Sequence, residues 1–269
     1  LRQRRRKGYG TKYILNKYNL NALKKFGQNF LIDANIVNKI VAQANINKSI
    51  AVIEVGPGIG ALTQILARHA GKVICFEIDE RFKPVYDEFL NVDNVEIIFG
   101  DFIKQELEPI IEKLKQDYSQ VYLVANLPYY VTTAIIEKVI FSNDKIDELI
   151  IMVQKEVALK MTSKYKNPLL LMIEDMGKIE YLFTVNKNIF LPAPHIDSAI
   201  IKISLIKNPN LKLYNILNIC FKQRRKTILN NLKQEYDNAY EILLDCGIDT
   251  NKRCEELSLD DFKNITDKV

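Results

Sequence analysis

The sequence predicts an α/β protein: a mostly parallel sheet wrapped by helices on both faces, followed by a small helical domain. Three observations carry that expectation. Short apolar runs of strand length alternate with stretches of helical spacing from residue 51 to residue 164. A glycine-rich break ends the first of these runs and leads directly into a helix. From Leu213 onward only helical patterns follow.

Taken in order, residues 1–25 read as a basic arm with a short helix around 14–18. Ile36, Val37, Ile40, Val41 and Ala44 recur with helical period, and Asp33 is placed to cap that helix. Residues 51–55 (AVIEV) are the first buried strand, GPGIG at 56–60 breaks it, and 61–69 return to helical spacing. Further strands are expected at 73–77, 95–99, 121–125 and 149–153. Helices are expected at 80–90, 103–117, 135–141 and 157–164. Such alternation implies right-handed crossovers and a sheet whose carboxyl-end loops meet at one edge. After residue 170 the pattern changes: 180–185 and 199–205 read as two more strands joined by a proline-containing loop, and 207–210 as a linker. The expected division is a basic N-terminal arm at 1–25, a catalytic domain at 26–206 and a helical C-terminal domain at 207–269, with no internal repeat.

A chain of 269 residues can hold a core of about 200 residues plus an appendage. Its 48% hydrophobic and 26% charged content suits a globular protein and argues against disorder. No apolar run approaches the roughly 20 residues that span a bilayer, and the N-terminus lacks the apolar core of a secretory signal. A cytoplasmic protein without membrane partners is therefore expected. Cys75, Cys220, Cys246 and Cys254 form no CxxC pair, and only His69 and His195 accompany them, so reduced thiols and no metal are expected. Net charge is +5, yet residues 1–25 alone carry nine basic side chains, Arg4, Arg5 and Arg6 among them, and no acid. Lys222, Arg224, Arg225 and Lys226 form a second cluster. Two basic patches on an otherwise slightly acidic body read as polyanion contacts. The plainer alternative is a solvated arm and a solvated helix face.

The glycine loop, with Gly56 and Gly58 at its turn, lets backbone approach a ligand closely. A dinucleotide site usually wants a third glycine two residues beyond Gly60, where this chain has Leu62 and Thr63. Glu77, at the end of the second strand, can accept hydrogen bonds from both hydroxyls of a ribose. Asp101, after the third strand, can accept from an adenine amino group, with Phe102 against the ring. A single acid at a strand end is more often a helix cap; acids at successive strand ends are not. Ribose and adenine without pyrophosphate fit S-adenosylmethionine.

After the fourth strand stands NLPY, residues 126–129. The exocyclic amine of adenine is a poor nucleophile because its lone pair is delocalised into the ring. The Asn126 carbonyl and a backbone carbonyl of the Leu127–Pro128 pair can accept its two N–H bonds and localise the lone pair. Pro128 fixes the backbone angle, and Tyr129 offers a face for stacking. No strong general base is needed, since the proton becomes acidic once the nitrogen is alkylated.

With these motifs, FGQNFLID at 26–33, EVGPGIG at 54–60, FEID at 76–79, QKEV at 154–157, FLPAPHIDS at 190–198 and FKQRRKT at 221–227, the chain resembles the KsgA family of 16S rRNA adenine dimethyltransferases across residues 10–262. The resemblance implies a Rossmann-like seven-stranded methyltransferase sheet with a small all-α C-terminal domain. It implies cofactor contacts from Asn29, Leu31, Gly56, Glu77, Asp101 and Asn126, beside which Gln28, Gly58 and Phe102 are further cofactor candidates, and a flipped adenine held between Tyr129 and Phe190. It implies dimethylation of two adjacent adenosines near the 3′ end of 16S rRNA, within the small ribosomal subunit or its precursor, by a monomer acting in ribosome biogenesis. KYKNPL at 164–169 departs from the aromatic-Gly-x-Leu stretch the family usually has there.

Three rival readings stand against this one. The related Erm group acts on 23S rRNA; the 196–198 and 221–227 segments are of the KsgA type instead. A DNA adenine methyltransferase usually carries a second proline where Leu127 stands. A non-catalytic assembly or transcription factor on the same fold would be expected to lose Asn126, Tyr129 or the glycine loop, and all are present.

Overall fold

The computed structural model describes residues 10–142 and 146–269; Arg4, Arg5 and Arg6 lie outside the described residues. The elements run α1 (Thr11–Lys17), β1 (Phe30–Leu31), α2 (Ala34–Gln43), β2 (Ile50–Val55), α3 (Ala61–His69), β3 (Lys72–Glu77), α4 (Lys83–Phe89), β4 (Val95–Phe99), α5 (Glu108–Asp117), β5 (Gln120–Asn126), α6 (Thr132–Ile140), β6 (Glu148–Gln154) and α7 (Lys155–Met161). Then follow α8 (Pro168–Met176), β7 (Gly177–Val185), β8 (Phe190–Leu191), β9 (Ser198–Leu205), α9 (Leu211–Phe221), α10 (Ile228–Leu232), α11 (Ala239–Asp245) and α12 (Leu259–Lys268).

Seven strands form one sheet in the order β4-β3-β2-β5-β6-β9-β7, while β1 and β8 pair separately and antiparallel. The pairs β2/β3, β2/β5, β3/β4 and β5/β6 are all parallel. The middle strands β2 and β5 are apolar almost without interruption because both their faces are covered. Register sets Val55 opposite Phe76 and Glu77 opposite Phe99. The residues that follow β2, β3, β4 and β5 thus emerge at the same edge. The core beneath that edge includes Val52, Leu66, Val73, Cys75, Val124 and Ile150, all buried.

Most predicted elements appear within a few residues of their expected bounds. The helix expected at 103–117 begins only at Glu108: a single 3-10 turn at Phe102–Lys104 follows Asp101, and Pro109 takes the first turn of α5, where its missing N–H leaves nothing unpaired. Asp33 caps α2 as predicted, accepting from Asn35 N–H at 2.8 Å. Helix α8 is absent from the sequence reading. Leu169 through Ile173, Asp175 and Met176 are all buried, so the helix has no polar face to give it a period.

Among the described residues two compact units are distinguished, one comprising those up to Leu159 plus Glu180–Ile203, the other Lys160–Ile179 plus Ser204–Val269. In the second unit the atypical 164–169 segment serves as a fixture. Asn167 caps α8 by accepting from Leu170 N–H at 2.7 Å, and Lys166 Nζ donates to the Leu257 carbonyl at 2.7 Å. Arg224 donates to the Tyr165 hydroxyl and pairs with Glu255. Asp175, its side chain 2% exposed, bridges Lys207 (2.9 Å) and Lys263 (2.8 Å).

That bridge makes stability depend on pH. Against the opposing effect of burial, the two lysines hold the Asp175 carboxyl below its ordinary range. A lowered carboxyl adds stability that is complete above the unfolded value of about 3.9 and is lost as pH falls through the folded value. Both lysines are partly solvated, so Asp175→Asn should cost about 1–2 kcal/mol at pH 7. Urea unfolding of both proteins should show that difference at pH 7 and its loss on acidification; a constant difference would assign the effect to packing.

Candidate functional site

A cavity of about 400 Å³ lies at the carboxyl edge of β2, β3, β4 and β5. Residues 26–31, the glycine loop, Glu77, Ile78, the turn at 100–103 and residues 126–131 line it.

The glycine loop shapes one wall. Gly56, Gly58 and Gly60 have φ of 69°, 57° and 81°, a region where a side chain is strained. A Cβ on Gly58 would also come within 3.3 Å of the Phe30 ring. The turn aims the Gly58 N–H at Glu77 Oε2, 3.0 Å away. Glu77 is 3% exposed, and its other oxygen accepts from Asp79 N–H at 2.9 Å. The Tyr86 hydroxyl stands between the Gly58 carbonyl (2.7 Å) and Glu77 Oε2 (3.2 Å). Burial pushes the Glu77 carboxyl up, and these hydrogen bonds oppose the rise. Deeper in the wall, burial drives the Glu54 carboxyl up to about 8, eased by Thr63 and by Cys75, whose Sγ lies 3.6 Å away.

Asp101 spends one oxygen on its own turn, accepting from Ile103 N–H at 3.0 Å. Phe102 borders the cavity but is buried edge-on against Phe76, with ring centroids 5.2 Å apart. The exposed apolar surfaces nearby belong instead to Ile78 (45%) and Ile103 (37%).

At the end of β5 the amide of Asn126 is oriented by its donor side: Nδ2 donates to the Asn29 carbonyl at 3.1 Å. Among the described residues nothing donates to Asn126 Oδ1. The Pro128 carbonyl is occupied by Val131 N–H and the Thr132 hydroxyl, both at 3.2 Å, so Leu127 supplies the available backbone carbonyl. The Tyr129 hydroxyl bonds Ser198 Oγ at 2.7 Å, which fixes the ring. Burial pushes that phenol up, so it remains neutral at physiological pH and is no base. Two acceptors without a strong base suit an N–H substrate that must be polarised rather than deprotonated first.

The structure gathers Gln28, Asn29, Leu31, Gly56, Gly58, Glu77, Asp101, Phe102, Asn126, Leu127, Pro128 and Tyr129 around this one cavity. Phe190 stands apart from the lining: it is 3% exposed and pairs with Leu31 across β1 and β8. Gln28 lines the cavity with its carboxamide already engaged, bonding Leu23 N–H and Asp79, both at 2.8 Å. Lys222, Arg225 and Lys226 are exposed, Lys222 lying 3.5 Å from Glu235 Oε1, and Arg224 is tied to Tyr165 and Glu255. Sequence reasoning missed Glu54, Ile78, Tyr86 and Ile103. Glu54 carried a signal, being an acid inside a buried strand; Tyr86 carried none, since only the fold brings helix α4 to the glycine loop. Among the described residues no group of His, Cys, Asp and Glu could hold a metal ion, and no helix is long and apolar enough to cross a membrane.

The ribosomal RNA adenine dimethylase family matches residues 19–269. Relatives named ribosomal RNA small subunit methyltransferase A include one from Bacillus licheniformis, 39% identical over 96% of this chain and 95% of its own. Another, from Bacillus pumilus, is 40% identical over 95% and 94%. Among solved structures, a dimethyladenosine transferase from Plasmodium falciparum superposes with TM-score 0.70 at 26% identity, covering 88% of this chain and 95% of that one. The 23S rRNA methyltransferase ErmE shares the fold, with TM-score 0.67 at 24% identity over 89% and 99%. The chain belongs to the ribosomal RNA adenine dimethylase family.

Glu77 is the cavity's best-prepared acceptor. Charge-assisted bonds of this kind are worth about 1.5–3 kcal/mol each. Glu77→Ala should therefore weaken S-adenosylmethionine binding at least about tenfold by calorimetry, with a cooperative unfolding transition retained. Acceptance needs the ionised carboxylate, so wild-type affinity should fall as pH descends through the raised Glu77 range. The variant should lose the part of that dependence that Glu77 contributes and keep the part from Glu54, whose carboxyl burial raises to about 8. Equal affinities would remove Glu77 from the site.

Proposed function

We propose that this member of the ribosomal RNA adenine dimethylase family uses S-adenosylmethionine to dimethylate N6 of two adjacent adenosines near the 3′ end of 16S rRNA, in the small ribosomal subunit or its precursor. The observation that carries the reading is the Asn126 amide, held by its donor side with its acceptor side unpaired, in the same cavity as a buried carboxylate.

The cavity suits the cofactor in three respects. Glu77 offers two carboxylate oxygens for ribose hydroxyls, and Asp101 retains one oxygen for an adenine amine. Ile78 and Ile103 offer exposed apolar surface for the base. Glu54 is a buried carboxyl whose near contacts are a thiol and a hydroxyl, so a cationic ligand group is the partner that would ionise it. When bound, S-adenosylmethionine supplies a methyl group on a positively charged sulfur.

The protein's own part is to prepare the amine. Asn126 Oδ1 and the Leu127 carbonyl accept its N–H bonds, which draws the lone pair out of the ring. These acceptors are fixed before reaction, so they need not reorganise as charge develops on nitrogen. Tyr129, anchored by Ser198, presents a stacking face. A role for Phe190 on the opposite face requires it to leave its packed position. After alkylation the nitrogen is cationic and its proton passes to water. A monomethylated amine keeps one N–H, so one acceptor serves the second transfer.

For the RNA, exposed Lys222, Arg225 and Lys226 are the described candidates for phosphate contact, with Arg224 supporting them from within. The closest rival reading, dimethylation of large-subunit RNA, uses the same core and differs in target.

Labelled S-adenosylmethionine supplied with unmethylated small subunits should place four methyl groups on two neighbouring adenines, and none on large-subunit RNA; label on the latter would favour the rival. In single turnover, Asn126→Ala should lower the rate by about 10²–10³ with subunit binding nearly unchanged. Tyr129→Phe keeps the stacking face but loses Ser198, and should retain most activity. Wild-type transfer by Asn126→Ala would refute the polarising role; loss of subunit binding instead would make the residue structural.

A further inference from the structure

The segment that carries Asn29 is clasped to the loop after β3. Gln28 Nε2 donates to Asp79 Oδ2 at 2.8 Å, and Gln28 Oε1 accepts from Leu23 N–H at 2.8 Å. Arg81 grips the same carboxylate, Nε reaching Oδ1 at 2.9 Å and Nη2 reaching Oδ2 at 2.6 Å. Nη2 also reaches the Asn21 carbonyl at 3.3 Å. Asp79 is 4% exposed, so this carboxylate is a built junction rather than a surface pair. Its backbone N–H holds Glu77, its side chain holds Gln28, and the Arg81 it binds holds Asn21. The next residue along the strap, Asn29, supplies the carbonyl that accepts from Asn126 Nδ2.

We infer that Gln28 and Asp79 are positioning residues for the methyl-accepting amine: their bond places the Asn29 carbonyl, and that carbonyl keeps the Asn126 oxygen presented to the substrate. Gln28 then acts through Asn126 rather than by touching the cofactor. The inference rests on the reading of Asn126 as the amine's acceptor. One carboxylate, Asp79, connects the ribose-facing Glu77 to the target amide on the far side of the cavity. A strap released at Gln28 leaves Asn126 free to rotate and present its NH₂, a donor, to another donor.

The test is a double-mutant cycle read by single-turnover methyl transfer on unmethylated small subunits, at saturating S-adenosylmethionine and saturating subunits. Gln28→Ala should slow transfer at least about tenfold, the size expected for losing a bond to a charged group. In an Asn126→Ala background the same change should have little further effect, because its route is already cut. Gln28→Glu sets two carboxylates face to face and should also slow transfer. Adding Asp79→Asn restores a donor opposite an acceptor, and should recover at least about tenfold. Equal losses from Gln28→Ala in both backgrounds, or no recovery in the exchange variant, would overturn the inference. If Asn126→Ala itself transfers methyl at the wild-type rate, the failure lies in the reading of Asn126 and not in the clasp.

Discussion

One hydrogen bond decides what this cavity can do: Asn126 Nδ2 to the Asn29 carbonyl, 3.1 Å across 97 residues of sequence. A primary amide is ambivalent, with a donor end and an acceptor end of nearly the same shape. Only a fixed partner on one end makes it selective for a substrate that donates. The carbonyl of Asn29 is such a partner because a carbonyl can only accept. Two parts of the fold hold this pair together. Beta-strand β5 fixes the Cα of Asn126, and the strap of residues 21–29 fixes the Asn29 oxygen.

The opposite wall follows a different logic, that of burial. Parallel strands covered on both faces leave their carboxyl-end residues in a setting poor in water, where an acid is held at a cost and gains from any ligand that supplies donors or positive charge. Glu54 and Glu77 are both raised by burial. Glu77 is satisfied by the N–H of Gly58, which a positive-φ turn brings into reach, and by the N–H of Asp79. The fold therefore concentrates acceptors at one sheet edge: carboxylates on one wall, an amide and a backbone carbonyl on the other. A methyl transfer between a cation and a neutral amine matches that distribution.

Much of this was readable before any coordinates, because strand-end residues are tied to a periodic pattern. Alternating apolar runs located the parallel strands, and those strands put Gly56, Glu77, Asp101 and Asn126 at one edge in chain order. What the sequence withheld depends on contacts between distant segments. Nothing in a lone Tyr86 says that it will reach Gly58, and nothing in Gln28 says that its carboxamide will be spent on Asp79. Phe102 read as a ring for the base, but its packing against Phe76 leaves the exposed apolar surface to Ile78 and Ile103. A charge cluster also reads the same whether its members are solvated or paired; Arg224 is paired with Glu255 and Lys222 with Glu235. Helix α8 escaped because an element buried all round has no polar face to mark it.

The polarity of the Asn126 amide is the claim on which the account turns, and Asn126→Asp isolates it. The substitution keeps size, shape and an acceptor oxygen; it removes the donor that meets Asn29 and adds a negative charge. Two oxygens would then face each other at the strap, and the side chain should turn away. Single-turnover transfer at pH 7.5 and saturating S-adenosylmethionine is predicted to fall to about the level of Asn126→Ala, roughly 10²–10³ below wild type. Transfer by Asn126→Asp near the wild-type rate would show that the bond to Asn29 is dispensable, and would contradict the account.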